Sequence, residues 1–234
     1  MALMGSQGSD RIDDLPDSRL GTLEYWEQVY KTEVENLKSH GEEGEIWFGT
    51  ATERRVTRWI QKSLNPNDTC VVDLGCGNGH FCLSMAEISF ENIFGLDYSN
   101  SAIELARSLS ISKGITTVRY QVGDILNPDT LTALQADLIV DKGTFDAISL
   151  MHFPSIPPEY SSKTHFLGSQ YTKGLLKLGK PSHTFIITSC NWTESELISI
   201  FDEHYSPIDR IPHPSYSFGG SSGSTVSTVV FKSK

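Results

Sequence analysis

Residues 73–79 read Asp-Leu-Gly-Cys-Gly-Asn-Gly, an acid followed by glycine at every second position. Residues without a Cβ let the backbone turn tightly and lie against a ligand. Three more acids, Asp97, Asp124 and Asp141, end or closely follow apolar stretches that read as strands. A row of carboxylates buried at strand ends is expensive unless cations or hydrogen-bond donors meet it. A ligand carrying an ammonium, ribose hydroxyls, an exocyclic amine and a sulfonium satisfies such a row, whereas a pyrophosphate does not. The dinucleotide fingerprint G-x-G-x-x-G would need glycine at position 80, where His80 stands. The D-x-G-x-G-x-G spacing points instead to S-adenosylmethionine, with S-adenosylhomocysteine as product.

Roles follow from that ligand's chemistry. Gly75 and Gly77 are expected to line its methionine part, with Asp73 reaching the ammonium directly or through water. Asp97 is expected to accept from both ribose hydroxyls, as the corresponding acid does in nicotinamide enzymes. Asp124 should accept from the adenine amine, with Tyr98 and Ile125 flanking the base. Each acid alone could instead cap a helix or a turn; four together at strand ends make that reading poor.

The elements that must position these residues alternate. Apolar positions Leu23, Trp26, Tyr30, Val34 and Leu37 recur at helical spacing, and Gly41 and Gly44 end the pattern. A second helical pattern carries Val56, Trp59, Ile60 and Leu64 before Asn65-Pro66-Asn67-Asp68 breaks the chain. Strands are expected over 69–74, 92–96, 117–122, 136–140 and 183–188, with helices over 80–88 and 159–178 and another from Ser99 or Asn100 to Gly114. Thr193-Glu194-Ser195-Glu196 is a capping box opening a further helix. A weak strand at 208–211, a Gly/Ser loop and a strand at 225–231 close the chain as a hairpin. The expectation is an α/β fold: a Rossmann-like, seven-stranded, mostly parallel sheet with helices on both faces and an antiparallel C-terminal hairpin strand. Residues 1–20 lack periodicity and are expected to be a disordered tail; residues 21–64 form a helical cap and 65–234 the core of one methyltransferase domain.

Composition narrows the class. With 38% hydrophobic and 21% charged residues the chain is that of an ordinary soluble domain. A formal net charge of −10 opposes general nucleic-acid binding, which needs cationic excess, and leaves room for a basic protein partner. Cys70, Cys76, Cys82 and Cys190 show no C-x-x-C spacing and read as thiols of a reducing compartment; the seven histidines form no cluster, so no metal is expected. No apolar run is long enough to span a bilayer and the N-terminus has no signal-like stretch, so cytoplasm or nucleus is the expected location and no membrane association is expected. A monomer is expected, since no exposed heptad asks for a partner.

Some matches mislead. Gly219-Gly220-Ser221-Ser222-Gly223 fits G-x-S-x-G, but too little chain follows to supply a helix, an Asp and a His, so it is a hairpin loop. Residues 174–180 fit G-x-x-x-x-G-K, but Pro181 stands where a phosphate loop needs Ser or Thr.

Longer strings carry a resemblance. Glu45-Ile46-Trp47-Phe48-Gly49, Asp141-Lys142-Gly143-Thr144-Phe145-Asp146-Ala147-Ile148, Thr188-Ser189-Cys190-Asn191-Trp192-Thr193 and Phe218-Gly219-Gly220, together with the glycine loop, resemble the methyltransferases that trimethylate a lysine of translation elongation factor 1-alpha. The likeness runs from about residue 20 to the C-terminus and departs at residues 178–183, where that family has a glycine-rich turn, and in the proline-rich stretch 152–162. It implies a protein-lysine acceptor attacked in line at the sulfonium methyl. It also implies an N-terminal segment folded over the cofactor, bringing Trp47 to it and Phe48 to the substrate, with Asn191 and Trp192 at the acceptor edge. Plain packing is the alternative for each aromatic. Asp141, ending the fourth strand, could bind the acceptor ammonium and orient the amine; pairing with Lys142 or capping a turn is its alternative. A small-molecule methyltransferase with residues 152–162 as a lid, or a cofactor-binding scaffold without activity, are the competing readings.

Overall fold

The computed structural model describes residues 12–214, 216–218, 221–223 and 225–234. Two helices come first, α1 (Leu23–His40) and α2 (Gly49–Ser63). Thr22 caps α1 through its side-chain oxygen and Gly41 ends it in a left-handed conformation. There follow β1 (Cys70–Leu74), α3 (His80–Glu87), β2 (Asn92–Asp97), α4 (Asn100–Ser112), β3 (Val118–Val122) and β4 (Ala136–Lys142). The chain continues through α5 (Thr144–Ser149), α6 (Lys163–Leu178), β5 (Gly179–Ser189) and α7 (Glu194–Phe201). It ends with β6 (Tyr205–Arg210), the short hairpin β7 (Tyr216–Phe218) and β8 (Ser221–Gly223), and β9 (Ser227–Ser233).

The seven-stranded sheet has the order β3-β2-β1-β4-β5-β9-β6. Its first five strands pair in parallel, and β9 runs antiparallel to both β5 and β6. The order reverses between β1 and β4, which opens a crevice beyond the carboxyl ends of the strands. Alternate side chains feed the two faces. Val72, Leu74, Ile139, Phe185, Ile187 and Phe231 pack under α5, α6 and α7, while Val71, Leu138, Val140, Ile186 and Val230 pack under α2, α3 and α4. Both faces being covered explains why these strands read as unbroken apolar runs. Helix α1 lies outside this layer on α4, with Trp26, Tyr30 and Val34 against Ala102, Leu105 and Leu109.

Several sequence expectations differ from the structure, among them the start of β5 at Gly179 instead of 183 and of β6 at Tyr205 instead of 208. The six-residue α5 was not foreseen, because a helix this short shows no full period. Helix α6 starts at Lys163, capped by Ser162, instead of at 159. The segment from Ile12 to Gly21 is packed. Ile12 is buried in the larger core, and Asp14 accepts from the Lys163 and Thr164 amides at 3.1 and 2.8 Å, capping α6 from a distant part of the chain. The remainder of the expected tail, residues 1–11, lies outside the described residues, as do Gly219 and Gly220. Among the described residues no helix is long and apolar enough to cross a membrane, and no group of His, Cys, Asp and Glu could hold a metal ion.

Candidate active site

The turns after β1, β2, β3 and β4 meet the N-terminal segment around one cavity of about 1340 Å³, including its open mouth. Strand β1 delivers Gly75, Cys76 and Gly77, all lining it. Gly75 and Gly77 have φ of +66° and +52°, a region in which side chains are strained. A Cβ on Gly75 would lie 1.9 Å from Thr144 Oγ1, and one on Gly77 2.5 Å from Tyr30 Oη. The loop is thus wedged between α1 and the first turn of α5, and Thr144 secures it by donating to the Leu74 carbonyl at 2.7 Å.

Asp97 ends β2 and lines the cavity while only 5% exposed. Its Oδ2 accepts from the Gly77 amide at 3.0 Å and its Oδ1 from the Ser99 amide at 2.9 Å. Burial pushes this carboxyl up to about 6 against the opposing pull of those amides. A buried carboxylate with spare lone pairs at a cavity wall fits a neutral donor such as a vicinal diol. Asp124 follows β3 and also lines the cavity; its Oδ1 accepts from the Leu126 amide at 2.9 Å, which holds the turn that carries Ile125 inward. Tyr98 and Ile125 complete this wall, and Trp47, 39% exposed, packs edge-on to Trp26 at its rim. Gly75, Gly77, Asp97, Tyr98, Asp124, Ile125 and Trp47 therefore surround one space, and so does Asn191 on the β5 side.

Four expected site residues lie elsewhere. Asp73 does not line the cavity: it points beneath the loop, 2% exposed, and takes a hydrogen bond from Cys82 Sγ at 3.5 Å. Burial lifts its carboxyl to about 6. Asp141 is fully buried and caps α5, accepting from the Thr144 and Phe145 amides at 2.8 and 2.9 Å and from the Tyr171 hydroxyl. The turn-capping alternative for Asp141 is the one the fold adopts, and the residue cannot meet an acceptor directly. Trp192 is 3% exposed, packs in the core 6.4 Å from the Phe145 ring and donates through Nε1 to Ser149 Oγ, so it supports the site from behind. Phe48 sits in a left-handed conformation before α2 with its ring edge over Gly143, one layer back from the cavity.

The structure supplies residues that the sequence reading did not single out. Leu20, Gly21, Leu150 and Met151 also line the cavity, whereas residues 152–162 do not. That loop packs on the first turn of α6 instead, with Phe153 and Tyr160 against Phe166. Lys142 and Asp146 also reach the cavity, from the string that ends β4 and opens α5. A signal for Asp146 existed: it stands five residues after Asp141 in that string, one helical turn beyond a strand end, but only the unforeseen α5 turns it inward. Cys70, Cys76 and Cys82 are buried thiols, and Cys190 is exposed beside Asp146.

Comparison with known proteins agrees with this geometry. A family profile described as a methyltransferase domain matches residues 66–213. The chain is 40% identical to EEF1A lysine methyltransferase 2 of Homo sapiens over 99% of its own length and 94% of the relative's. It is 34% identical to the protein-lysine N-methyltransferase efm4 of Schizosaccharomyces pombe, covering 94% and 97% of the two chains. Among solved structures it resembles the N-methyltransferase NodS of Bradyrhizobium japonicum in complex with S-adenosylhomocysteine, with a TM-score of 0.52 at 18% identity over 78% of this chain and 86% of that one. The glycine cradle, the strand-end acids and these full-length likenesses together mean that the chain belongs to the protein-lysine methyltransferases of the EEF1A lysine methyltransferase 2 and efm4 family.

Proposed function

We propose that this protein transfers methyl groups from S-adenosylmethionine to a lysine of translation elongation factor 1-alpha, releasing S-adenosylhomocysteine. One observation carries the reading: Asp97 is buried on the cavity wall, tied to the glycine loop through Gly77, in a chain that matches lysine methyltransferases end to end. When bound, the cofactor supplies a methyl group on a sulfonium, open to direct displacement by an amine. The chain's own residues bind and orient. Asp97 takes the ribose hydroxyls, Asp124 the adenine amine beside Ile125 and Tyr98, Gly75 and Gly77 give the methionine part room, and Trp47 covers it. The acceptor reaches the β4–β5 side past Leu20, Leu150 and Met151, whose apolar surfaces exclude water and favour the neutral amine that can attack. Positioning and electrostatics supply the catalysis, with no covalent intermediate and no metal. The protein acts as a monomer in the cytoplasm, and also in the nucleus, on a protein and not on nucleic acid or membrane.

The test is methyl transfer from labelled S-adenosylmethionine to purified elongation factor 1-alpha, wild type against Asp97→Ala, with mass spectrometry of the product. Label on a lysine is expected from wild type. The variant should fold but show no calorimetric binding of the cofactor; normal binding would remove Asp97 from the ribose site.

A further inference from the structure

A lysine ammonium entering the cavity needs an anionic partner, because an unpaired charge in a mostly apolar space is costly. Four carboxylates line the cavity: Glu45, Asp97, Asp124 and Asp146. Asp97 and Asp124 stand at the ends of β2 and β3, in the half assigned to the cofactor, and Glu45 belongs to the segment before α2. Asp146 alone sits on the β4–β5 side, where an acceptor must come in beside the glycine loop.

Its surroundings are built rather than accidental. Asp146 is 7% exposed and gathers the turn after β5: Oδ1 accepts from Ser189 Oγ, and Oδ2 accepts from the Cys190 amide at 2.8 Å and from Cys190 Sγ at 3.3 Å. The Asn191 amide group donates to its main-chain carbonyl at 3.4 Å. A carboxylate has about four lone-pair sites. Ser189 and Cys190 occupy three of them, and Asp146 lines the cavity.

We propose that Asp146 is the acceptor-binding carboxylate: its free lone pair takes an N–H of the entering lysine, and Ser189 and Cys190 hold it in place for that purpose. This rests on the lysine-methyltransferase reading above and names the group that recognises the lysine. Asp141, behind it, is a positioning residue that fixes the α5 turn carrying Asp146.

Two experiments test the assignment. In the first, n-butylammonium is titrated into the wild-type complex with S-adenosylhomocysteine and followed by NMR, with n-butanol as the neutral control. The ammonium should bind at least tenfold more tightly than the alcohol, and Asp146→Asn should erase the difference; equal binding of the two to wild type overturns the proposal whether or not the variant folds. In the second, Asp146→Asn and Ser189→Ala are compared in methyl transfer to elongation factor 1-alpha. If Asp146 binds the lysine, its variant loses at least 30-fold in kcat/KM with cofactor affinity kept within twofold, while Ser189→Ala, which retains the carboxylate, loses less than fivefold. If Asp146 only clamps the turn, both variants lose alike, and the proposal fails. A wild type that transfers nothing to elongation factor 1-alpha would refute that substrate, and the butylammonium titration would still decide the amine site.

Discussion

Tyr171→Phe removes one hydroxyl from a fully buried place and should destabilise the protein more at high pH than at low pH. The Tyr171 hydroxyl donates to Asp141 Oδ2, and both residues are 0% exposed. Burial raises the Asp141 carboxyl from 3.8 to about 7, while the Tyr171 hydroxyl and the Thr144 and Phe145 amides pull it back down. Because the folded value lies above the unfolded one, the native state binds the extra proton between about pH 4 and 7. The sign is therefore that stability falls as pH rises through that window. Across its full width the loss comes to about 4 kcal/mol. Loss of the hydroxyl removes a hydrogen bond to a charged acceptor above about pH 7, about 1.5–3 kcal/mol, and to a neutral one at lower pH, about 0.5–1.5 kcal/mol. The expected losses are thus about 2 kcal/mol at pH 8 and about 1 kcal/mol at pH 5. Urea denaturation of wild type and variant at both values measures this, and every other titrating group cancels in the difference. Equal losses at the two pH values, or a larger one at pH 5, would refute the account of Asp141 as a buried carboxylate held ionisable by its donors.

Two further substitutions probe the glycine loop and the amino-terminal strap. Gly75→Ala must place a methyl 1.9 Å from Thr144 Oγ1 at a φ of +66°, so it should cost at least about 2 kcal/mol and weaken cofactor binding more than tenfold by calorimetry; unchanged affinity would mean that the loop does not cradle the ligand. Lys163→Met removes an almost buried ammonium that donates to the Leu15 carbonyl at 2.8 Å, the Met151 carbonyl at 3.2 Å and Asp17 Oδ1 at 2.7 Å. Amide hydrogen exchange over residues 15–21 should rise at least tenfold and the KM of the protein substrate should increase, since Leu20 and Gly21 line the cavity; unaltered protection would show that the strap is held by its other anchors, among them Ile12, Asp14 and the Ser18 amide on the Leu150 carbonyl.

The strands themselves, the acids at their ends and the glycine loop were legible in the sequence because each is a local signal, whereas the strand order came only with the structure. The apolar runs 69–74 and 136–140 are β1 and β4 to within two residues at each end, and Thr193 with Glu196 forms the capping box its spacing implied. The antiparallel last strand followed from the absence of a helix before it, and β9 does pair antiparallel with β5 and β6. Residue types at the cofactor end, from Gly75 to Ile125, could be read in order because each lies close to a strand end and those ends share one edge of a parallel sheet.

Which carboxylate faces inward could not be read that way. Asp73 and Asp141 sit at strand ends as plainly as Asp97 does, yet Asp73 turns beneath the loop to Cys82 and Asp141 turns back to cap α5. One residue of pleat or half a helical turn reverses a side chain's direction, and only the packing of α5 on Gly75 and of Tyr171 beneath Asp141 decides it. Trp192 was drawn into the core by the same layer of aromatic rings, while Asp146, whose signal in the sequence was only its distance from a strand end, was brought to the cavity by α5. The amino-terminal strap is the clearest case: residues 12–21 have no periodicity, and their order comes from partners far along the chain, such as Lys163, which holds Leu15 from 148 residues away. Local spacing determined the strands of this protein and the glycine loop at the cavity; the side chains that line its β4–β5 side are a product of long-range contacts that no local pattern encodes.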